Sequence, residues 1–214
     1  LAATGAAIMS LCVPALYFAP RAMSENASAT AIVWGLAWLV DRRSTRRILV
    51  LGASMLGLAV LFRLQSGLYC AGVLALFAVR RDWKSFRVVL TTLMVWAFLF
   101  GALVAATWSA APGAKWGGWF HSAVVYIRFN FIEGRSADFG TAPFFFYVRA
   151  LFQTMPVLFV VLTLGALFSA KRAPGLLLLA VAFWLAHSLI RHKEFRFILP
   201  FLGPWVAASM VGFS

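Results

Sequence analysis

The chain has 214 residues, of which 63% are hydrophobic and only 12% charged. That much apolar surface cannot be hidden in one soluble core, so the composition implies a membrane protein that crosses several times. A net charge of +13 would suit nucleic acid, but the cations sit in short blocks between apolar runs, as membrane topology requires, and no nucleic-acid partner is expected.

Eight apolar segments follow in order: Leu1–Ala19, Ala27–Val40, Ile48–Phe62, Gly67–Val79, Val88–Ala110, Phe144–Ser169, Gly175–Ile190 and Phe197–Phe213. The first opens at Leu1 without the basic stretch of a signal peptide, so the chain reads as an internal or C-terminal part of a longer protein. Cys12 and Cys70 lie in apolar runs without metal-ligand spacing and read as buried thiols. The expected fold is all-α: one transmembrane helical bundle over 1–214, about eight segments, some short or broken, with an external loop at 111–143.

Three connections are purely basic in flavour: Asp41–Arg47, Arg80–Arg87, and Lys171 with Arg172. If each segment crosses once, these share a side, which the excess of cations assigns to the cytoplasm. The chemically mixed connections, Arg21–Asn26, Arg63–Ser66, the long loop and Arg191–Arg196, then share the opposite face.

In the first mixed connection, Pro20 and the Ser24-Glu25-Asn26 group suit a helix end followed by a fresh N-cap, with Arg21 and Glu25 spaced for an ordinary ion pair or for a site. Ile48–Phe62 is fifteen residues, roughly 22 Å as a helix against a hydrocarbon core of about 30 Å. Two short helices joined at Arg63-Leu64-Gln65-Ser66-Gly67 would put irregular backbone below the membrane surface, where a protein-walled or wet cavity must surround it. Arg63 is the only charge between Arg47 and Arg80, and it needs an anionic partner or water.

In the long loop, Trp116, Trp119, Phe120, Val124, Ile127 and Phe131 recur at three- and four-residue steps, which predicts an amphipathic interfacial helix over about Lys115–Phe131. Asn130, Glu133, Arg135 and Asp138 follow in a polar stretch read as a loop over a cavity mouth. His121 has no second ligand at metal spacing, so no metal site is expected. Pro156 should kink the segment that contains it, and Arg149 and Gln153, one turn apart, should face protein.

Arg191–Pro200 packs His192, Lys193, Glu194 and Arg196 between two hydrophobic runs, near His187. Solvated flanking charges would explain cations alone. Cations mixed with histidine and glutamate, on the side where topology does not call for them, point instead to an anion, and a phosphate suits the fork of Arg and the point charge of Lys.

The run His192-Lys193-Glu194-Phe195-Arg196-Phe197-Ile198-Leu199-Pro200 resembles the HKE-x-RF-x-x-P signature of glycosyltransferase family 22, the lipid-phosphate-mannose-dependent mannosyltransferases that elongate GPI precursors and lipid-linked oligosaccharides. Arg21, Ser24, Glu25 and Asn26 are similar to the family's R-x-x-S-N-x-x-E region, with Asn and Glu displaced. Arg63-x-Gln65-Ser66 resembles an R-P-T/Q-T segment without its proline. Phe139-Gly140-Thr141-x-Pro143 through Tyr147 is similar to Y-G-T-x-P-W-x-x-Y, with Phe144 where Trp is usual.

The resemblance implies a GT-C fold that works on the luminal or external face, taking a hexose, mannose in particular, from a polyprenyl- or dolichyl-phosphate donor to a lipid-linked glycan acceptor, without a cofactor. His192, Lys193 and Arg196, then Arg63 and Arg21, are the expected holders of donor phosphate; Glu194, Glu25 and Gln65 would organise them, and Asn130 and Glu133 would touch sugar. The family's presumed catalytic acid lies in its first external loop, so the base is expected upstream of Leu1, and neither Glu25 nor Glu194 takes its place. The host membrane would be a bacterial inner membrane or the endoplasmic reticulum. A transporter or lipid-binding membrane protein is the alternative, although the halves share no matching Pro/Gly breaks.

Overall fold

The structure, a computed structural model, describes residues 2–19, 23–40, 44–108 and 118–214. Among these the fold is helical and contains no strand. Ala2–Leu11 (α1), Val13–Phe18 (α2), Ser24–Val40 (α3), Arg46–Phe62 (α4), Gly67–Val79 (α5) and Trp83–Trp108 (α6) make the first half. His121–Ile127 (α7), Phe146–Thr154 (α8), Pro156–Phe168 (α9), Pro174–Leu189 (α10) and Leu199–Phe213 (α11) make the second.

Several boundaries follow from proline and from local caps. The first apolar run is not continuous: Cys12 is extended at φ −74°, ψ 108°, and Pro14 enters the first turn of α2, where its missing N–H is not needed. Pro156 interrupts its segment outright, because Met155 is held out of the helical region before a proline and Pro156 starts α9. Thr45 caps α4 by accepting from the Ile48 amide. Between α4 and α5 the chain breaks at extended Arg63, followed by one tight turn over Leu64–Ser66.

Two expectations are corrected. Arg149 and Gln153 are exposed; Tyr147 and Leu151, one turn apart on the other face of α8, are the buried pair. The interfacial helix is shorter than its periodicity indicated. Lys115 and Trp116 lie outside the described residues, α7 begins at His121 after left-handed Phe120, and a wide turn over Arg128–Ile132 ends it. Trp119 and Phe120 pack on α6, against Phe98 at 5.0 Å and Phe100 at 6.2 Å between ring centroids. Gly101 leaves the room: a Cβ there would lie 2.7 Å from the Trp119 ring.

Close helix contacts are built on small residues, as expected where apolar surroundings leave packing as the main attraction. A Cβ on Gly35 of α3 would lie 3.0 Å from the Gly52 carbonyl of α4, and one on Gly52 2.7 Å from Leu39. Gly165 and Gly212 bring α9 and α11 into the same intimacy. Ile32, Leu36, Leu56, Leu162 and Leu202 fill the core between these pairs, with Tyr69 stacked on Phe183 at 4.9 Å.

The described parts of the three basic connections gather at one end; residues 41–43 of the first lie outside the described residues. Ser44, Arg80, Asp82 and Ser85 line one cavity of about 360 Å³, and the start of α10 at Gly175 packs on Leu76, with a Cβ there 3.4 Å from the Arg80 guanidinium. Arg46, Arg47, Arg80, Arg81, Lys84, Arg87, Lys171 and Arg172 are all exposed. The start of α3, the α4–α5 junction, α7 and the loop between α10 and α11 meet at the other end. Among the described residues two helical stretches are long and apolar enough to cross a membrane, Trp83–Thr107 and Phe195–Phe213. Met94, Val95, Phe98 and Leu103 of α6 face outward, an apolar surface that a soluble protein would rarely leave uncovered.

Candidate functional site

The site begins with a two-rung ladder between the first turn of α3 and the break after α4. Glu25 and Ser28, three residues apart, share a helical face; Arg63 and Ser66, also three apart, meet them. The Arg63 guanidinium lies 2.5 Å from Glu25, and the Ser28 and Ser66 hydroxyls are 2.5 Å apart. Glu25 is 4% exposed. A carboxylate so deep is tolerated because it is paired and sits in the first turn of a 17-residue helix, where backbone amides favour negative charge.

From that pair a polar chain runs in both directions. Arg63 Nε donates to Gln65 at 3.3 Å, and the Gln65 amide donates to the Tyr126 hydroxyl at 2.6 Å. On the other side Arg196 Nε lies 3.5 Å from Glu25 and 2.6 Å from Glu194, the nearer approach lacking the alignment of a good hydrogen bond. His192 Nε2 meets Glu194 at 3.1 Å, and its Nδ1 meets the Gly140 carbonyl at 3.2 Å. Phe197 lies under both guanidinium groups, at 4.9 Å from Arg63 and 5.6 Å from Arg196.

Lys193 is turned elsewhere. Its ammonium, 9% exposed as a residue, donates to the carbonyls of Ile190 at 2.5 Å and Ala142 at 2.9 Å, and the Ala142 amide donates to Arg191 at 3.0 Å. These bonds clamp the Gly140–Pro143 turn to the loop after α10. Burial lowers the Lys193 pKa. Burial pushes the Glu194 carboxyl up, but the contacts with His192 and Arg196 and their charges outweigh it, and the net shift is downward.

The polar chain borders a cavity of about 220 Å³ whose wall includes Arg63, Gln65, Tyr126, Asn130, Tyr147, His187, His192 and Phe197. His187 is stacked on Phe183 at 4.1 Å and bonded through Nδ1 to the Phe183 carbonyl at 2.9 Å. Asn130 is fixed by donating to the Tyr126 carbonyl at 2.8 Å. Among the described residues no group of three His, Cys, Asp or Glu side chains assembles as metal ligands would.

Of the residues singled out from sequence, Glu25, Arg63, Gln65, His192, Glu194 and Arg196 form one connected network, and Asn130 reaches the cavity it borders. Lys193 braces the loops behind it. Glu133 is apart, 2.5 Å from Arg128 in an exposed pair. Arg21 lies outside the described residues. Ser28 and Tyr126 were missed, and Ser66 was seen only within a motif: the spacing of Ser28 from Glu25 and of Ser66 from Arg63 was visible, but nothing local says that the two steps face each other. Tyr147 was seen only within a motif.

The profile of the Alg9-like mannosyltransferase family matches residues 4–212. A probable Dol-P-Man:Man(7)GlcNAc(2)-PP-Dol alpha-1,6-mannosyltransferase of Schizosaccharomyces pombe is 35% identical over 105 residues, 46% of this chain and 18% of the relative. GPI mannosyltransferase 3 of Candida albicans is 39% identical over 75 residues, 35% of this chain and 15% of the relative. GPI mannosyltransferase 3 of Trypanosoma brucei brucei is 31% identical over 123 residues, 53% of this chain and 21% of the relative. The chain thus spans about a fifth of the length of these relatives. No solved structure matches it. With a profile match over nearly its whole length, the chain belongs to the Alg9-like mannosyltransferase family.

Proposed function

We propose that the protein containing this chain moves a mannosyl group from a polyprenyl- or dolichyl-phosphate donor to a lipid-linked glycan, and that this chain supplies the part of the site that receives the departing lipid phosphate. The observation that carries the reading is one buried carboxylate, Glu25, shared by Arg63 and Arg196 beside a polar cavity. As the glycosidic bond breaks, negative charge gathers on the phosphate, and cations already fixed at that place lower the barrier without reorganising. Arg196, 40% exposed in its side chain and tied to the carboxylates through Nε, presents its terminal nitrogens as the first contact, with His192 beside it and Arg63 behind. Lys193 acts by holding the Gly140–Pro143 turn in place, and Asn130 is the sugar contact.

The helical segments cross the membrane about eight times in this reading, with the site on the luminal or external face and the exposed cations of the other end in the cytoplasm. The membrane is that of the endoplasmic reticulum or a bacterial inner membrane. Membership of a transferase family and a cavity too small for a substrate pathway favour this over the transporter alternative. Transfer of labelled mannose from polyprenyl-phosphate mannose to lipid-linked glycans, assayed in membranes carrying the full-length enzyme, tests it. Arg196→Ala should lower turnover by about 10²–10³ at unchanged membrane abundance, and near-normal turnover would reject the assignment.

A further inference from the structure

At the end of the bundle away from Glu25 and Arg63, a cavity of about 360 Å³ opens where α3 and α5 finish and α4 and α6 begin. Its described wall is amphipathic. Leu39, Leu49 and Phe77 are buried side chains within the helices, while Ser44, Arg80, Asp82 and Ser85 stand at the helix ends. Both helix starts are already capped: Thr45 accepts from the Ile48 amide, and Asp82 accepts from the Ser85 amide at 3.1 Å. The Asp82 carboxylate is thus spent on α6. Arg80 is not spent: among the described residues its guanidinium has no hydrogen bond and no ion pair, and it lies along the start of α10, where a Cβ on Gly175 would come within 3.4 Å. Its neighbour Arg81 closes the turn at φ 56°, its amide bonded to Ala78 and that of Asp82 to Phe77, each at 3.0 Å. Glycine takes that conformation freely, so an arginine there keeps a cation at the rim against backbone strain.

Depth narrows the class. Trp83 is exposed beside the cavity, edge-on to Phe86 at 5.7 Å, and such amphipathic rings sit at the headgroup level of a membrane. We propose that this cavity holds the phosphate of an anionic glycerophospholipid from the leaflet at the basic end, with Arg80 on the phosphate and Leu39, Leu49 and Phe77 against the glycerol. The fork of Arg80 can donate to two phosphate oxygens at once, and basic pockets between helices at headgroup depth recognise lipids in this way. The volume lies within the roughly 300–1,000 Å³ of small-ligand pockets. Topology alone explains exposed cations, but not an arginine without a partner in the wall of a cavity with apolar sides. Lipid binding here can fail without touching the transfer reading, whose residues lie elsewhere.

The full-length enzyme, stripped of lipid in detergent at about 0.15 M salt, is titrated with short-chain phosphatidic acid and with phosphatidylcholine of the same chains. Bound lipid is counted by mass spectrometry of the intact complex, and melting temperatures are read alongside. Phosphatidic acid should bind the wild type about tenfold more tightly, the worth of one charge-assisted contact. Arg80→Gln should remove that preference, whereas Arg87→Gln, which deletes an exposed cation outside the wall, should change it by about twofold at most because separated charges are screened. Ser44→Glu keeps every cation but sets a carboxylate in the wall, and it should remove the preference too; it decides the matter if Arg80→Gln melts below wild type without lipid. Equal losses in Arg80→Gln and Arg87→Gln, or no preference in the wild type, overturns the site and leaves a diffuse basic surface. Inorganic phosphate alone should not raise the melting temperature. If it protects the wild type as well as phosphatidic acid does, and Arg80→Gln not at all, the lipid is overturned in favour of a soluble phosphate.

Discussion

Two ion pairs in this protein have the same separation and opposite meanings. Glu25 and Arg63 lie 2.5 Å apart with side chains 5% and 14% exposed; Glu133 and Arg128 lie 2.5 Å apart with side chains 31% and 66% exposed. The exposed pair can exchange its partner for water at any moment, so it contributes about 0–1 kcal/mol. The buried pair has no such exchange. Its net worth over a well-packed apolar substitute is small, but removing one member strands the other. The comparison teaches that the carboxylate at the centre of the site is kept for what it holds, two arginines, and not for stability as such.

Stranding the cation is therefore the strongest way to break the comparison. Glu25→Ala should cost about 3–5 kcal/mol in chemical unfolding and abolish transfer, because Arg63 and Arg196 lose their shared partner. If Glu25→Ala unfolded no more easily than Glu133→Ala, the distinction between the two pairs would be false. The second rung of the ladder is neutral and should cost less. Ser28→Ala leaves the Ser66 hydroxyl, 1% exposed, without its partner, for a loss of about 1–3 kcal/mol by the same measurement.

Acid sharpens the contrast without mutation. The Glu194 carboxyl titrates below its usual 4.5 in the folded protein, so between that lowered value and 4.5 the unfolded chain binds more protons. Its contribution to stability is full above about 4.5 and is lost as the pH falls through the folded value. Melting temperatures of wild type and Glu194→Gln, followed downward in pH, should differ by a constant amount above that point and converge below it. A difference that persists unchanged into strong acid would refute the His192–Glu194–Arg196 contact as its source. The smallest effect is the control: Glu133→Ala or Arg128→Ala should shift stability by about 0–1 kcal/mol and fade in high salt.

The site was legible where its chemistry was written locally. The Arg191–Pro200 run announced itself because cations, histidine and carboxylate stood together between apolar runs, and Arg63 because it was alone among apolar residues. What stayed hidden depended on distance along the chain. Tyr126 touches Gln65 across 61 residues, and Ser28 finds Ser66 across 38. Lys193 shows the reverse failure: composition marked it as a free cation, whereas its ammonium is spent on two backbone carbonyls.

Hydropathy by itself determined that this protein is helical and put its basic connections on one side, because apolar period acts on neighbouring residues; proline marked the interruption at Pro156 but not the break at Arg63, and Pro204 stays inside α11. Only the tertiary structure decided that Glu25 joins Arg63 to Arg196 and that the Tyr147 hydroxyl is buried without a partner. Those pairings are made where glycine-lined helices close on one another, and the free energy of a buried charge or hydroxyl depends on what the packing brings against it, which no stretch of sequence contains.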